Sequence, residues 1–330
     1  MRRRGVLHIG VTGLAAAMLA DGCGGGSSKA KPNSGGTSAA APVSPSRAAP
    51  TFDPSTYNPP KIPYSSLKKL YSYDSSSFLD AVLTDTRSGD GVGIEVITYS
   101  DTKGGTIPAY VVTPSQPPGR MPGVLFAHAA GENRDTWLPE LSAIARLNVT
   151  AMIAEIPFKV TGDPNADSAM VVAAVLAQRR ALDLLSRRDD TDKSRLAVVG
   201  HGWGGDLAQV LTALESRLSG VVLAGAGSRL SQTMFVSADP VHVANRDAYL
   251  NALTRFDGAR YVSVTGTKRS LLLQIGTQDS AVPKSQVDEL VAVAAGSKTR
   301  KDYPTGDDLV KSPAAAADRL AFLRKVLRLK

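Results

Sequence analysis

Short, nearly uninterrupted apolar runs alternate with amphipathic stretches along most of the chain. Residues 123–127, 149–154, 196–199, 221–224 and 271–275 are runs of this kind, the pattern of strands buried on both faces. Helical spacing fills the intervals, with one helix around 137–147 and a long one over about 166–187 that places Val171, Val175, Leu182 and Leu185 on one face. A last helix spans 314–329, and residues 298–303 read as a final, more exposed strand. Ahead of the apolar runs, 65–71 and 78–83 read as short helical stretches. Residues 93–99 and 107–113 read as two strands joined by a hairpin turn at 101–105, Asp-Thr-Lys-Gly-Gly. Apolar strands alternating with helices predict an α/β domain with a mostly parallel central sheet and helices on both faces. In such sheets the ligand site lies at the carboxyl ends of the strands.

The first 60 residues break this pattern. Arg2, Arg3 and Arg4 precede an apolar, Gly/Ala-rich stretch over 5–20, and Cys23 follows. That stretch is short of the roughly 20 residues a spanning helix needs but suits a secretory signal. A cysteine directly after small residues resembles a bacterial lipoprotein signal, which implies cleavage before Cys23 and a diacylglycerol on its thiol. Ala20 and Asp21 depart from that pattern, which prefers Leu and a small uncharged residue there. Arg3-Arg4-Gly5-Val6-Leu7 also loosely resembles a twin-arginine export signal. Plain secretion and an uncleaved anchor are the alternatives. Residues 24–60 are mostly Gly, Ser, Ala, Pro and Thr and cannot bury enough apolar surface to offset ordering entropy, so they read as a tether. The expected organisation is a signal peptide over 1–22, a lipidated Cys23 with its tether over 23–60, and a folded domain over 61–330 with a candidate lid over 226–269. The expected location is the outer face of a bacterial cytoplasmic membrane, held by the lipid.

Composition narrows the classes. The 330 residues are 43% hydrophobic and 21% charged, and mean hydropathy is -0.07, which excludes a fully disordered or wholly membrane-embedded chain. Cys23 is the single cysteine, so an internal disulfide framework and Cys-cluster metal sites are excluded. Net charge is +8, part of it from the leader arginines. No Lys/Arg block with interleaved aromatics is present, and no nucleic-acid partner is expected. The four histidines, His8, His128, His201 and His242, leave few candidates for a catalytic base.

Gly200-His201-Gly202-Trp203-Gly204-Gly205 follows a strand and precedes helical sequence. It resembles the nucleophile elbow of the α/β-hydrolase fold, G-x-S-x-G between strand and helix. Arg180–Leu185 is similar to the helix before the elbow in dienelactone-hydrolase-like and acetyl-xylan-esterase-like members. Phe126-Ala127-His128-Ala129-Ala130-Gly131 is similar to their oxyanion loop. Gln274-Ile275-Gly276-Thr277-Gln278-Asp279 is similar to the strand end carrying their triad acid. Tyr303-Pro304-Thr305-Gly306-Asp307-Asp308-Leu309 is similar to the segment carrying their triad histidine. The resemblance covers about 61–330.

Carried over position by position, the resemblance implies Asp279 as the triad acid. It implies oxyanion donors in the backbone N–H of Trp203 and one from Ala129 or Ala130. The nucleophile position is Gly202, and the histidine position is Asp307, or Asp308 if the loop is shifted by one. Glycine keeps the strained, positive-φ turn and deletes the attacking oxygen. A carboxylate beside Asp279 adds like-charge repulsion and cannot replace imidazole. His201 is expected to turn into the scaffold, His128 to be architectural and His242 to lie at the surface. Ser228 and Ser280 sit near strand ends without an obvious basic partner, and His8 leaves with the signal.

Two readings follow. In the first, the protein is an exported, membrane-anchored pseudo-hydrolase with a binding or structural role, an ester-like small molecule as its ligand, and no cofactor. In the second, it hydrolyses through a displaced nucleophile or a metal-activated water around Asp279 and Asp307, since clustered carboxylates bind hard cations or tune one another's acidity.

Overall fold

A strand whose every side chain meets protein must sit in the middle of a covered sheet, and β4 (Met121–Ala127) and β5 (Thr150–Ala154) are buried at every position. They occupy the centre of a nine-stranded sheet in the computed structural model, which describes residues 61–238, 243–264 and 269–330. The signal, Cys23, the tether, His8 and His242 lie outside the described residues.

The helix α1 (Tyr64–Lys69) leads into three strands, β1 (Val82–Gly89), β2 (Val92–Ser100) and β3 (Thr106–Pro114). After β4, a 3-10 turn (Arg134–Trp137) and α2 (Leu138–Ala145) lead to β5. The long α3 (Pro164–Arg187) follows, then β6 (Thr191–His201), α4 (Trp203–Leu214) and β7 (Leu218–Ala224). The segment expected as a lid folds as α5 (Leu230–Ser237), α6 (Arg246–Leu253), a 3-10 turn and α7 (Ala259–Val262). β8 (Ser270–Gly276), α8 (Lys284–Val293), β9 (Ser297–Tyr303) and α9 (Pro313–Leu327) complete the described chain.

The strand order is β1-β2-β3-β5-β4-β6-β7-β8-β9. Pairing is antiparallel from β1 to β5 and parallel from β5 to β9. The expected mostly parallel α/β sheet is what forms. Register places Ala127 opposite Gly200, His201 opposite Ala224 and Gly276 opposite Tyr303. The loops after β4, β6, β7, β8 and β9 therefore leave the sheet side by side at its carboxyl edge.

One expectation is corrected. Residues 78–83 form no helix, and Val82 and Leu83 instead begin β1, all eight of whose residues are exposed. An edge strand with no buried face carries no alternation to read. The Asp101–Gly105 hairpin is present, with Asp101 Oδ1 accepting the Lys103 and Gly105 N–H groups. Among the described residues, no helix is long and apolar enough to cross a membrane.

At the other flank, α9 is fastened by a buried guanidinium. Arg319 donates two charge-assisted bonds to Glu140 of α2 (2.9 and 2.7 Å), one to Gln274 of β8 (3.1 Å) and one to the Leu309 carbonyl (3.0 Å). This joins α2, β8 and α9 to the loop that follows β9.

Candidate functional site

The elbow is built by backbone packed on backbone. A Cβ at Gly200 would lie well inside 3.0 Å of the Gly204 carbonyl, and one at Gly204 equally close to the Ala127 carbonyl. No side chain fits at either position, so strand β6, helix α4 and the end of β4 can meet only through glycine. Gly202 stands between them at φ 50° and ψ -118° and donates its N–H to the Ala224 carbonyl (2.9 Å). Its own Cβ would come 2.9 Å from the Ala129 Cβ. The Gly204 N–H donates to the His128 carbonyl (3.0 Å), tying the elbow to the loop after β4.

A cavity of about 220 Å3 opens over Gly202. Ala129, Ala130, Trp203, Asp279 and Asp307 all border it, so the structure brings together every position the motifs single out except Asp308. Asp308 is exposed and pairs with Lys311 (3.0 Å), which leaves Asp307 at the histidine position. A larger groove of about 480 Å3 lies beside Met121 and Arg195, where no motif residue reaches it.

Each carboxylate has its own surroundings. Asp279 Oδ1 accepts the N–H groups of Ala281 (2.7 Å) and Val282 (3.2 Å) in its own turn. The Asp307 side chain is exposed, while its backbone carbonyl accepts from Leu309 N–H (2.7 Å) and His201 Nε2 (2.6 Å). Among the described residues, no group of three or more His, Cys, Asp or Glu side chains is placed to hold a metal ion.

His201 is a buried strut. Its Nε2 meets the Asp307 carbonyl, which can only accept, and its Nδ1 lies 3.1 Å from Glu132 Oε1. Burial tends to raise the Glu132 carboxyl, but bonds and charge from His201, the Ala129 N–H and the Trp137 indole outweigh it and hold it below its ordinary range. The imidazole and the half-buried carboxylate are thus hydrogen-bonded partners at the floor of the loop after β4. Glu132 Oε2 also accepts the Ala129 N–H (2.8 Å) and Trp137 Nε1 (3.2 Å). The Ala129 N–H is thereby engaged, so of the two donors expected from the loop after β4 only that of Ala130 remains beside the Trp203 N–H, which belongs to the first turn of α4.

The other candidates are occupied. His128 Nε2 accepts the Ile156 N–H (3.0 Å) and its Nδ1 faces the Ala129 carbonyl (2.9 Å), so the ring fixes the loop. Ser228 Oγ donates to Glu289 (2.6 Å), and Ser280 is exposed.

Among the residues at the site that escaped sequence reasoning are Glu132 and Asp206, and Phe158, Thr233 and Ser237 also line the cavity. Asp206, on the first turn of α4, borders the cavity at 6% exposure, with Gln209 Nε2 3.2 Å from its Oδ1. Burial pushes its carboxyl well above the usual range, the Gly227 N–H opposes the shift, and the Asp257 charge adds to it. Its signal was available, because Asp206 falls three residues after Trp203 and four before Val210, on the buried face of an amphipathic helix. Glu132 stands outside every motif, and its bond to His201 spans 69 residues.

Comparison of the sequence with protein-family models and with curated proteins finds no match. Solved structures do match. An acetyl xylan esterase from Paenibacillus sp. R4 superposes with a TM-score of 0.66 at 22% identity, covering 80% of this chain and 93% of that one. Acetyl xylan esterase 1 from Thermoanaerobacterium sp. JW/SL YS485 superposes with a TM-score of 0.69 at 17% identity, covering 82% and 95%. A structure described as a dienelactone hydrolase from Klebsiella pneumoniae subsp. pneumoniae MGH 78578 superposes at 0.54 with 15% identity, covering 72% and 99%. The sheet order, the strand–glycine–helix elbow and these neighbours agree that the chain has the α/β-hydrolase fold.

Proposed function

We propose that this esterase-like protein no longer forms an acyl-enzyme and uses its elbow pocket to bind a small, ester-like molecule. We further propose that it is exported and held at a membrane surface by a lipid on Cys23. One observation carries the first statement: the elbow's central residue is Gly202, at φ 50°, with no side-chain oxygen over the pocket. The surroundings support it. The imidazole bordering the cavity, His201, spends both nitrogens on Glu132 and the Asp307 carbonyl, and the base position is an aspartate. Removing a triad costs on the order of a million-fold in turnover, leaving the modest help of binding and oxyanion donors.

The purified protein is expected to hydrolyse p-nitrophenyl acetate no faster than its Gly202→Ala variant and to resist labelling by a fluorophosphonate. Labelling near Gly202, or turnover well above that variant, would sink the proposal. Restoration tests the positions themselves. Gly202→Ser with Asp307→His should gain esterase activity once Ala129→Gly clears the contact 2.9 Å from the new Cβ. For the anchor, fatty-acid label is expected on the full chain in its host and absent from a Cys23→Ser variant.

A further inference from the structure

Opposite the elbow, at the amino edge of the parallel strands, lies the groove of about 480 Å3 beside Met121 and Arg195. Arg120 precedes β4, Arg146 lies in the turn before β5, Arg195 stands within β6 and Arg328 follows α9. Strand register brings them together there, and Lys330 adds a fifth cationic side chain. No carboxylate side chain lines the groove. Elsewhere in the fold acids meet guanidinium groups: Glu215 meets Arg179, Glu95 meets Arg188, Glu289 meets Arg229 and Glu140 meets Arg319. In the groove, Arg195 alone is so matched, by Asp192 at 2.7 Å. Arg120 and Arg146 donate Nε to the backbone carbonyls of Asp189 (3.3 Å) and Asp90 (2.7 Å), and among the described residues neither has a carboxylate partner. The Arg328 side chain has no bonding partner among them at all. All three arginines are exposed. Cations gathered in a concavity without counter-ions set up a positive potential that favours a partner carrying several negative charges.

The lining narrows the choice of polyanion. No aromatic ring is present on which bases could stack, and Met121, Pro122 and Leu147 give the groove apolar surface beneath its basic rim. An anionic bilayer offers the matching arrangement, closely spaced phosphates over an apolar layer. We propose that this groove docks the folded domain on anionic phospholipid headgroups through Arg120, Arg146 and Arg328. The elbow pocket opens at the carboxyl edge of the same strands, so docking turns it away from the bilayer. The inference takes the source of the bilayer from the anchoring reading above and is independent of the loss of acyl chemistry.

The test is vesicle binding by the full chain carrying Cys23→Ser, which removes the lipid. Phosphatidylcholine vesicles containing about 30% phosphatidylglycerol are expected to bind about tenfold more tightly than phosphatidylcholine alone. Salt at about 1 M, where the screening length falls to about 3 Å, should erase the difference. Arg120→Glu, Arg146→Glu and Arg328→Glu combined should lower affinity for the anionic vesicles about tenfold. Lys159→Glu, Lys284→Glu and Lys311→Glu combined make the same change in net charge at exposed positions beside the carboxyl edge. They should lower that affinity by no more than about twofold. Leader and tether are identical in both variants, so the difference reads the folded domain. Arg328→Glu alone, at a side chain with no bond to lose, should cost about fivefold and guards against misfolding of the triple variant. Equal affinity for the two kinds of vesicle, binding to neither, equal losses in the two triple variants, or unchanged affinity in Arg328→Glu overturns the inference. Each of those results leaves the anchor standing. Absence of fatty-acid label on Cys23 would instead sink the anchor and leave the vesicle result in place.

Discussion

Two segments line the pocket, and they are held in different ways. The elbow between β6 and α4 carries glycine, Gly202, at its centre. The loop after β9 carries an exposed carboxylate, Asp307. The difference lies in what holds each one. The elbow is set by carbonyls pressed against glycine Cα atoms, which constrains Gly200 and Gly204 and leaves Gly202 free of any structural need for an oxygen. The loop is held through backbone atoms, the Asp307 carbonyl on His201 and the Leu309 carbonyl on Arg319, so its exposed side chain can change without moving it. Position and chemistry are separable at both sites.

The sharpest way to break the elbow is Gly204→Ala. Its Cβ would overlap the Ala127 carbonyl, where neither backbone can yield, and a loss of about 4 kcal/mol is expected in urea unfolding. His201→Ala attacks the strut common to both segments. It leaves the half-buried Glu132 carboxylate without its imidazole partner and should cost about 3 kcal/mol. Hydrogen exchange at the Leu309 amide should accelerate in the same variant, because the Asp307 carbonyl that accepts it loses its second partner.

Glu132→Gln is the milder test, worth about 2 kcal/mol at neutral pH, and its size should depend on pH. The folded protein holds Glu132 below its ordinary 4.5, so the contribution of the ionised carboxylate and its hydrogen bonds is fully present above that value. It is lost as pH falls through the lower, folded-state value. The stability gap between the unaltered protein and Glu132→Gln should therefore close below pH 4.5, and a gap that widens there would refute a carboxylate stabilised by folding. Smallest of all, Asp307→Ala should change stability by no more than about 0.5 kcal/mol, since its side chain is exposed. A large loss there would mean that the loop depends on side-chain chemistry after all.

The parallel strands were legible because burial on both faces leaves a continuous apolar run, as in residues 221–224 of β7. β6 was legible only from Leu196 onward, because Asp192, Lys193 and Ser194 at its start are polar. β1 was illegible for the opposite reason, having no buried face at all. At the site, Gly202, Trp203, Asp279 and Asp307 could be placed from motif spacing, and they do converge on one cavity. Spacing could not reveal that His201 bridges two loops, because its partners lie 69 and 106 residues away; the bond from the Ala129 N–H to Glu132 is local, three residues on, but no motif position flags it. Asp206 was missed because a single acidic residue in an apolar helix looks like surface until the helix is seen with its first turn buried.

Gly202 has a consequence for the mechanics of the elbow. A side chain held in that backbone conformation stores on the order of 1–3 kcal/mol. Glycine at φ 50° stores none of it. Any side chain introduced there, the serine of Gly202→Ser included, would have to be held in its strained conformation by the packing of β6, α4 and the end of β4.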